Sequence, residues 1–471
     1  MIIVSPVCTV PRPASNVGPE LHDSLDHNHP PAHTLELSQL EQSNLRGWFR
    51  ALLFFKQPAG VDPSKAANLF RDGLVSTVRA IPSVACEIVP FDDGRKPTGK
   101  IALKCNGLPT LVVKDLRGSG LVYEELQKQN FPQSRLEPTD FCTREVFPEP
   151  DEQQPVFVPQ LNIIDGGLVL TLHSHHSVFN AQGINEVLRC DSLSIEKFGA
   201  AHNSSREPTA DMGRPEHHPE LIVAPEPITF GETAMRCTHR SRVYRVSPEA
   251  LAQLRDDCNE ARIRTSTNDR ITALIWRSVI RAQVDFDQLP NENTLSHDIV
   301  NVDLRLRSEP PLAKDYPGCP MNYARAAMNL EDVFDSSITP LAFGVREAVN
   351  KRTHEYVRSL VTLLANAPSY HNVVSDSFRN LMTTHCLTST WYKLDMYDLD
   401  FGPAIGKIEC VRFPTGGLFN GLSMIYSQLT SGNGVGMEIA IGLDQCCFEK
   451  LEKDPIWCRY TKSTDPGYDC I

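Results

Sequence analysis

No run of about 18 apolar residues occurs in the 471-residue chain, so no membrane-crossing helix is expected. Positive charge is not in surplus: 46 Lys and Arg face 58 Asp and Glu, a net charge of −12. A protein that grips nucleic acid presents a basic face to phosphate, and this balance argues against that class. The 14 cysteines form no CxxC pair. Scattered thiols in a chain of this length predict reduced, mostly buried cysteines, not a disulfide framework or a zinc site. No H-E-x-x-H or comparable pattern appears, so no metal is expected. The start, MIIVSPVCTVPRP, lacks a basic segment and is broken by Pro6. No secretory leader is expected there, and the cytoplasm is the expected compartment. No internal repeat is found.

What is present is enough apolar material for a core, with 41% hydrophobic and 22% charged residues. The length suggests two or three domains. The first 34 residues are rich in Pro and His; a metal at His27 and His29 is conceivable, but irregular solvated chain fits the composition better. Residues 39–56 place Leu40, Leu45, Trp48, Phe49 and Leu52 at helical spacing, and 66–81 predict a second helix between Pro63 and Pro82. Short β-rich runs follow (VACEIVP, KIALKC, TLVVK, FVPQLNII), then GGLVLTLHSHH, a strand opened by two glycines. Residues 201–228 are a linker by composition. Beyond it lie a strand at SRVYRV, a helix opened by Ser247-Pro248, a helix over STNDRITALIWRSVIRA, and strands at HDIVNVDLRL, IECVRF, LSMIYSQL and GMEIAIGL. The domains expected are 1–200 and 229–471, both mixed α and β.

Two segments carry chemistry. In LTLHSHHSVFNAQG a strand runs into His175-His176 and a helix begins near Asn180 or Ala181. A histidine at a strand end is rigidly held with its ring exposed, as a general base requires. By strand parity His176 shares a side with Leu170 and Leu172, and His175 lies on the other. A packed histidine pair with no catalytic part is the plain alternative. Far downstream, Asp400-Phe401-Gly402 stands in a turn-forming stretch. Alone it reads as a structural turn, and the phosphate loop and lysine of a kinase are absent.

Together these segments resemble the BAHD acyltransferases, within them the fungal branch that includes trichothecene O-acetyltransferases. HHSVFN supplies His176 and Asn180 for the family's HxxxD. Ser389-Thr390-Trp391 matches a TSW-like segment, with Trp391 nine residues before Asp400 of the DFG. LELSQLE, STNDRITALIWR, NVDLRLRSEPPL and GKIECVRFP extend the resemblance over nearly the whole chain.

The resemblance implies two chloramphenicol-acetyltransferase-like domains, each a mixed sheet flanked by helices, with a channel between them. It implies acyl-CoA, acetyl-CoA first, as co-substrate with no bound cofactor. The acceptor would be a hydroxyl of a fungal secondary metabolite, and the protein a monomer. His176 would be the base, and Ser389, Thr390 and Trp391 would line the channel. Trp391 is equally expected as a packed core aromatic. Asp400 and Gly402 would shape a structural turn, Asp400 paired with Arg305. Lys407 and Arg412 are candidates for CoA phosphates, with surface charge the plainer expectation. The family's HxxxD aspartate pairs with an arginine and shapes the turn holding the histidine. Asn180 lacks that charge, so a compensating group beside the arginine is expected. DFGWG is here DFGPAIG, without the tryptophan. Two rivals stand: a degenerate member that binds or cyclises a hydrophobic metabolite, and an acyltransferase whose donor is a carrier protein.

Overall fold

The computed structural model describes residues 33–105, 109–147, 154–190, 213–225, 239–258, 264–285, 294–376, 380–381, 383–427 and 436–464. Two large sheets organise them. The first has five strands in the order Cys410–Arg412, Trp48–Lys56, Gly167–His175, Phe157–Ile164 and Val112–Asp115. Its centre is antiparallel, with Trp48 opposite His175 and Ser174 opposite Phe157. The second has seven strands in the order Met321–Asn329, Leu295–Asp303, His385–Thr390, Leu422–Ser427, Met437–Asp444, His239–Val246 and Lys462–Ser463. His385–Thr390 is its parallel centre, paired on both sides in the same direction. Both sheets are mixed, as expected for the fold.

The helix expected over 39–56 is corrected. Only Gln39–Gln42 is helical, closed by a capping box between Ser38 and Glu41. Trp48–Lys56 is a strand buried on both faces. Leu52 and Phe54 join one apolar cluster, and Leu53 and Phe55 join another on the opposite face. A strand covered on both sides has no polar alternation, so its continuous apolar run also satisfies a helical period. The helix predicted after it is present as Pro63–Ala80, with Asp62 accepting from the Ser64 N–H. The later helices, Pro248–Asp257 and Thr267–Gln283, are capped by Ser247 and Ser266 as their sequences require.

The expectation that all cysteines are reduced is also corrected. Cys86 and Cys105 face each other across adjacent antiparallel strands and are joined as a disulfide. Nine other described cysteines are free.

Residues 213–225 of the linker carry a short strand, Leu221–Val223, paired with Val373–Ser375. Its remaining residues, and His27 and His29, lie outside the described residues. The strand Cys410–Arg412 comes from the second half of the sequence but completes the edge of the first sheet beside Trp48–Lys56. No described helix is long and apolar enough to cross a membrane.

Candidate active site

His176 sits one residue past the strand Gly167–His175. Its N–H donates to the Gly47 carbonyl at 2.8 Å, which extends the pairing with the neighbouring strand. The chain then turns sharply: the N–H groups of Val178 and Phe179 donate to the His175 carbonyl at 3.0 and 3.1 Å. Asn180 ends the turn and caps the helix Ala181–Arg189, its Oδ1 accepting from the Gly183 N–H at 3.0 Å. Strand, turn and cap fix the backbone of His176 from both sides.

The two histidines part as strand parity requires. His175 is fully buried, edge-on to Trp48, and its Nδ1 accepts from the Ser177 N–H at 3.3 Å. Burial, with help from nearby Arg46 and His176, lowers its pKa to about 3. His176 keeps partial exposure. Its ring is edge-on to Phe49, centroids 5.5 Å apart. Its Nδ1 lies 3.8 Å from the Cys319 sulfur. Burial holds its pKa below the ordinary histidine value, partly offset by a hydrogen bond to its own backbone. A neutral imidazole is the form that can accept a proton.

Arg305 corrects one expected pairing. Its guanidinium does not meet Asp400. It is 2% exposed and donates to Asn180 Oδ1 (3.1 Å), the Gly318 carbonyl (2.7 Å), the Tyr316 carbonyl (2.8 Å) and Asp303 Oδ1 (2.9 Å). The group expected to replace the missing anion of Asn180 is therefore Asp303. Arg305 ties the turn of His176 to the segment 316–318. Packing there leaves no room for side chains: a Cβ on Gly183 would stand 1.9 Å from the Pro317 carbonyl oxygen.

Asp400 is exposed, and its Oδ1 accepts from the Gly402 N–H at 2.9 Å. Gly402 has φ +84°, a conformation glycine adopts without strain. Its carbonyl accepts from the Gly406 N–H, closing the loop. Phe401 packs on Phe55 and Phe70 of the first half, with ring centroids 5.3 and 6.1 Å apart. The DFG segment is thus a turn whose phenylalanine anchors it, remote from the hydrogen bonds of His176.

Of the TSW-like segment, Trp391 is linked to His176 through a single ring. Phe49 separates the two rings, edge-on to both, with 6.0 Å between the Phe49 and Trp391 centroids. Phe413 and Tyr426 enclose the indole from behind. Thr390 donates its hydroxyl to Asn268 Oδ1 at 2.8 Å, and Ser389 is half-buried. Lys407 is exposed, as surface charge would be. Arg412 is neither surface charge nor available to a phosphate. It is fully buried, paired with Glu438 at 2.8 Å, and donates to the carbonyls of Asn130 and Phe131. Inside a sheet interface its cation is satisfied before any ligand arrives.

Glu41, Asn44, Asp303 and Cys319 were not singled out from the sequence. Glu41 accepts from the Tyr316 hydroxyl at 2.7 Å and from the Cys319 N–H at 3.3 Å. These contacts span some 275 positions, and no local spacing announces them. A small niche of about 20 Å³ lies beside the same segment; Val178, Tyr316 and Glu41 are among its lining residues, and His176 is not. No group of three or more potential metal ligands exists among the described residues.

The sequence model of the Transferase family matches residues 26–456. The chain belongs to this family, the BAHD acyltransferases. It is accordingly an acyltransferase enzyme. Among curated relatives of this BAHD chain, the O-acetyltransferase anaAT of Neosartorya fischeri is 21% identical, covering 90% of this chain and 96% of that protein. The trichothecene 3-O-acetyltransferase of Fusarium sporotrichioides is 25% identical, with 85% and 91% covered. Among solved structures, the F. graminearum enzyme TRI101 in complex with coenzyme A and deoxynivalenol aligns with TM-score 0.81 at 22% identity, covering 92% of this chain and all of that one. Vinorine synthase aligns with TM-score 0.60 at 17% identity, with 91% and 94% covered. These two likenesses establish that the BAHD fold is shared.

Proposed function

We propose that this enzyme transfers an acyl group, acetyl first among candidates, from acyl-CoA to a hydroxyl of a fungal secondary metabolite, with His176 as general base. The carrying observation is His176 itself: a partly exposed imidazole mounted at a strand end, its pKa held below the ordinary value by burial. The fungal O-acetyltransferases among the relatives support the reaction class, and the coenzyme A held by the structural neighbour supports the donor.

In this mechanism His176 Nε2 takes the proton of the acceptor hydroxyl as its oxygen attacks the thioester carbon. The carbonyl becomes a tetrahedral oxyanion. It collapses with cleavage of the C–S bond, and the imidazolium returns the proton to the departing thiolate. The products are an ester and free CoA. A positioned base contributes about 10²–10⁴-fold, and orientation of the two substrates adds to it. Ser389, Thr390 and Trp391 are proposed to line the channel beside the base. Because the Thr390 hydroxyl is engaged by Asn268 and the Trp391 indole is walled in by three aromatic rings, Ser389 is the member best placed to offer a free hydroxyl. Residues 1–200 and 229–471 are proposed as the two acyltransferase domains, working as a cytoplasmic monomer.

The test is release of free thiol from acetyl-CoA with a panel of hydroxylated fungal metabolites, for wild type and His176→Ala. Turnover abolished by the substitution supports the base. Wild type that binds metabolites but never releases thiol moves the protein to the degenerate class, and turnover only with an acylated carrier protein changes the donor.

A further inference from the structure

The strand Leu295–Asp303 turns its residues alternately to two sides. Ser296 accepts from the Trp276 indole N–H at 2.8 Å, and Val300 and Val302 share an apolar cluster with that helix, Thr267–Gln283. Ile299 and Asn301 therefore face the other way. On this face Tyr323 stands opposite Asn301, and Leu387 stands opposite Ile299. Ser389, two residues beyond Leu387, is paired with Met424. Met424 packs in the cluster that holds Leu170 and Leu172 of the first sheet. The face with Asn301 is thus the one turned toward the first half of the chain.

Inner strands covered by a second sheet should keep no accessible surface. Asn301, Tyr323 and Ser389 nevertheless are each only half-buried, whereas Ile299 and Leu387 beside them are buried. Accessible space therefore reaches the sheet at this row. The row adjoins the base from both ends. Tyr323 follows Cys319 by four residues, and the Cys319 sulfur stands 3.8 Å from the His176 ring. Ser389 precedes Trp391 by two residues, and Trp391 meets His176 through Phe49.

One group in the row lacks a partner. Asn301 Oδ1 accepts no hydrogen bond from the protein. A buried carboxamide oxygen left in this state is costly, and the cost is lifted by a donor from outside the chain. No bond at Oδ1 anchors the amide, so rotation about the soft χ2 presents either its oxygen or its nitrogen to the space. The flanking groups are hydroxyls. Burial, with the Cys319 thiol nearby, holds the Tyr323 phenol above its ordinary pKa, and so protonated. Strands lie about 4.8 Å apart, so the three side chains span about 10 Å, the breadth of a small fused-ring molecule rather than of a single threaded chain.

Resting on the acyl-transfer reading above, we propose that Asn301 is a specificity-determining residue, its carboxamide binding a second, non-reacting hydroxyl of the acceptor, so that the enzyme prefers polyhydroxylated ring systems to simple alcohols. A hydroxyl both donates and accepts, which suits an amide that can offer either end.

The test uses Asn301→Leu, which keeps the bulk and removes both hydrogen-bonding ends. The probes are alcohols of one rigid polycyclic skeleton bearing one, two or three hydroxyls. They are assayed by thiol release from acetyl-CoA and, without donor, by calorimetric binding. Wild type should favour the triol over the monool about tenfold in kcat/KM and in binding, as one hydrogen bond allows. Asn301→Leu should abolish that preference while KM for acetyl-CoA changes less than about twofold, and Asn301→Thr should restore part of it. Asn301→Ala takes the place of leucine should leucine prevent folding. An undiminished preference in the variant overturns the proposal, as does a wild type that does not discriminate among the alcohols or binds none of them. A rise in KM for acetyl-CoA alone also overturns it and gives Asn301 to the pantetheine arm. Binding separates the two levels: preference lost in Asn301→Leu without thiol release from wild type sinks acyl transfer alone, and thiol release without preference sinks the role of Asn301 alone.

Discussion

Asn180 caps the helix after His176 and meets Arg305, and replacing it tests how the site is held. In Asn180→Ala two hydrogen bonds vanish at once. The first is the cap of Ala181–Arg189, Oδ1 to the Gly183 N–H, a contact typically worth about 1 kcal/mol. The second is the acceptor for Arg305 Nη2, a bond to a charged group worth roughly 1.5–3 kcal/mol. Arg305 keeps Asp303, Gly318 and Tyr316, so the cation is not orphaned and the lower part of that range applies. The expected loss is about 2–3 kcal/mol. Because the turn is also held by the bonds of Val178 and Phe179 to the His175 carbonyl, it should loosen without unravelling, and kcat/KM should fall about tenfold. Asn180→Asp keeps both acceptors and adds a negative charge beside Arg305 and at a helix N-terminus. Its stability should stay within about 1 kcal/mol of wild type or exceed it. Urea unfolding followed by tryptophan fluorescence, with thiol-release kinetics on the same samples, measures both. An alanine variant with wild-type midpoint and kcat/KM would refute the claim that Asn180 joins the turn to Arg305.

Three further outcomes are expected. Because burial lowers the pKa of His176, the acid limb of the kcat/KM profile should lie below the ordinary histidine value of about 6.5; a limb at or above it contradicts the buried base. Asp298 is fully buried, only its Oδ1 is hydrogen-bonded, and burial raises its pKa to about 8. A carboxyl raised in this way favours folding when protonated, fully below about pH 4 and progressively less as pH climbs through its folded pKa. Asp298→Asn should therefore match wild type at pH 4 and be more stable by roughly 2–4 kcal/mol at pH 7 in denaturant titrations. Arg412→Met removes the nearer cation from buried Glu438 and leaves it only Arg245 at 3.6 Å; it should cost about 3 kcal/mol, most of it recovered in the double variant Arg412→Met/Glu438→Leu, as thermal unfolding would show.

Most of the chain order of the elements was legible in the sequence, and so was the candidate base, His176, at the end of its strand. The strand Gly167–His175, the turn after it and the helix start at Asn180 follow from local spacing: apolar residues at strand period, then a capping residue. The helix Thr267–Gln283 and its Ser266 cap were legible for the same reason. Where local pattern served two masters it misled. Trp48–Lys56 carries apolar side chains on both faces, and only its place between Cys410–Arg412 and Gly167–His175 makes it a strand. Partner choice was the other thing that local pattern could not supply. The resemblance pairs Arg305 with Asp400, yet the folded chain carries Arg305 to Asn180 and Asp303, while Asp400 turns back on Gly402. Arg412 looks like a surface cation until the sheets close over it and Glu438. Cys319 reaches His176 across 143 positions of sequence. Elements and caps are set by interactions a few residues long, which the sequence spells out. Which buried charge meets which acceptor is set by how the two sheets pack, and that is fixed only when the whole chain has folded.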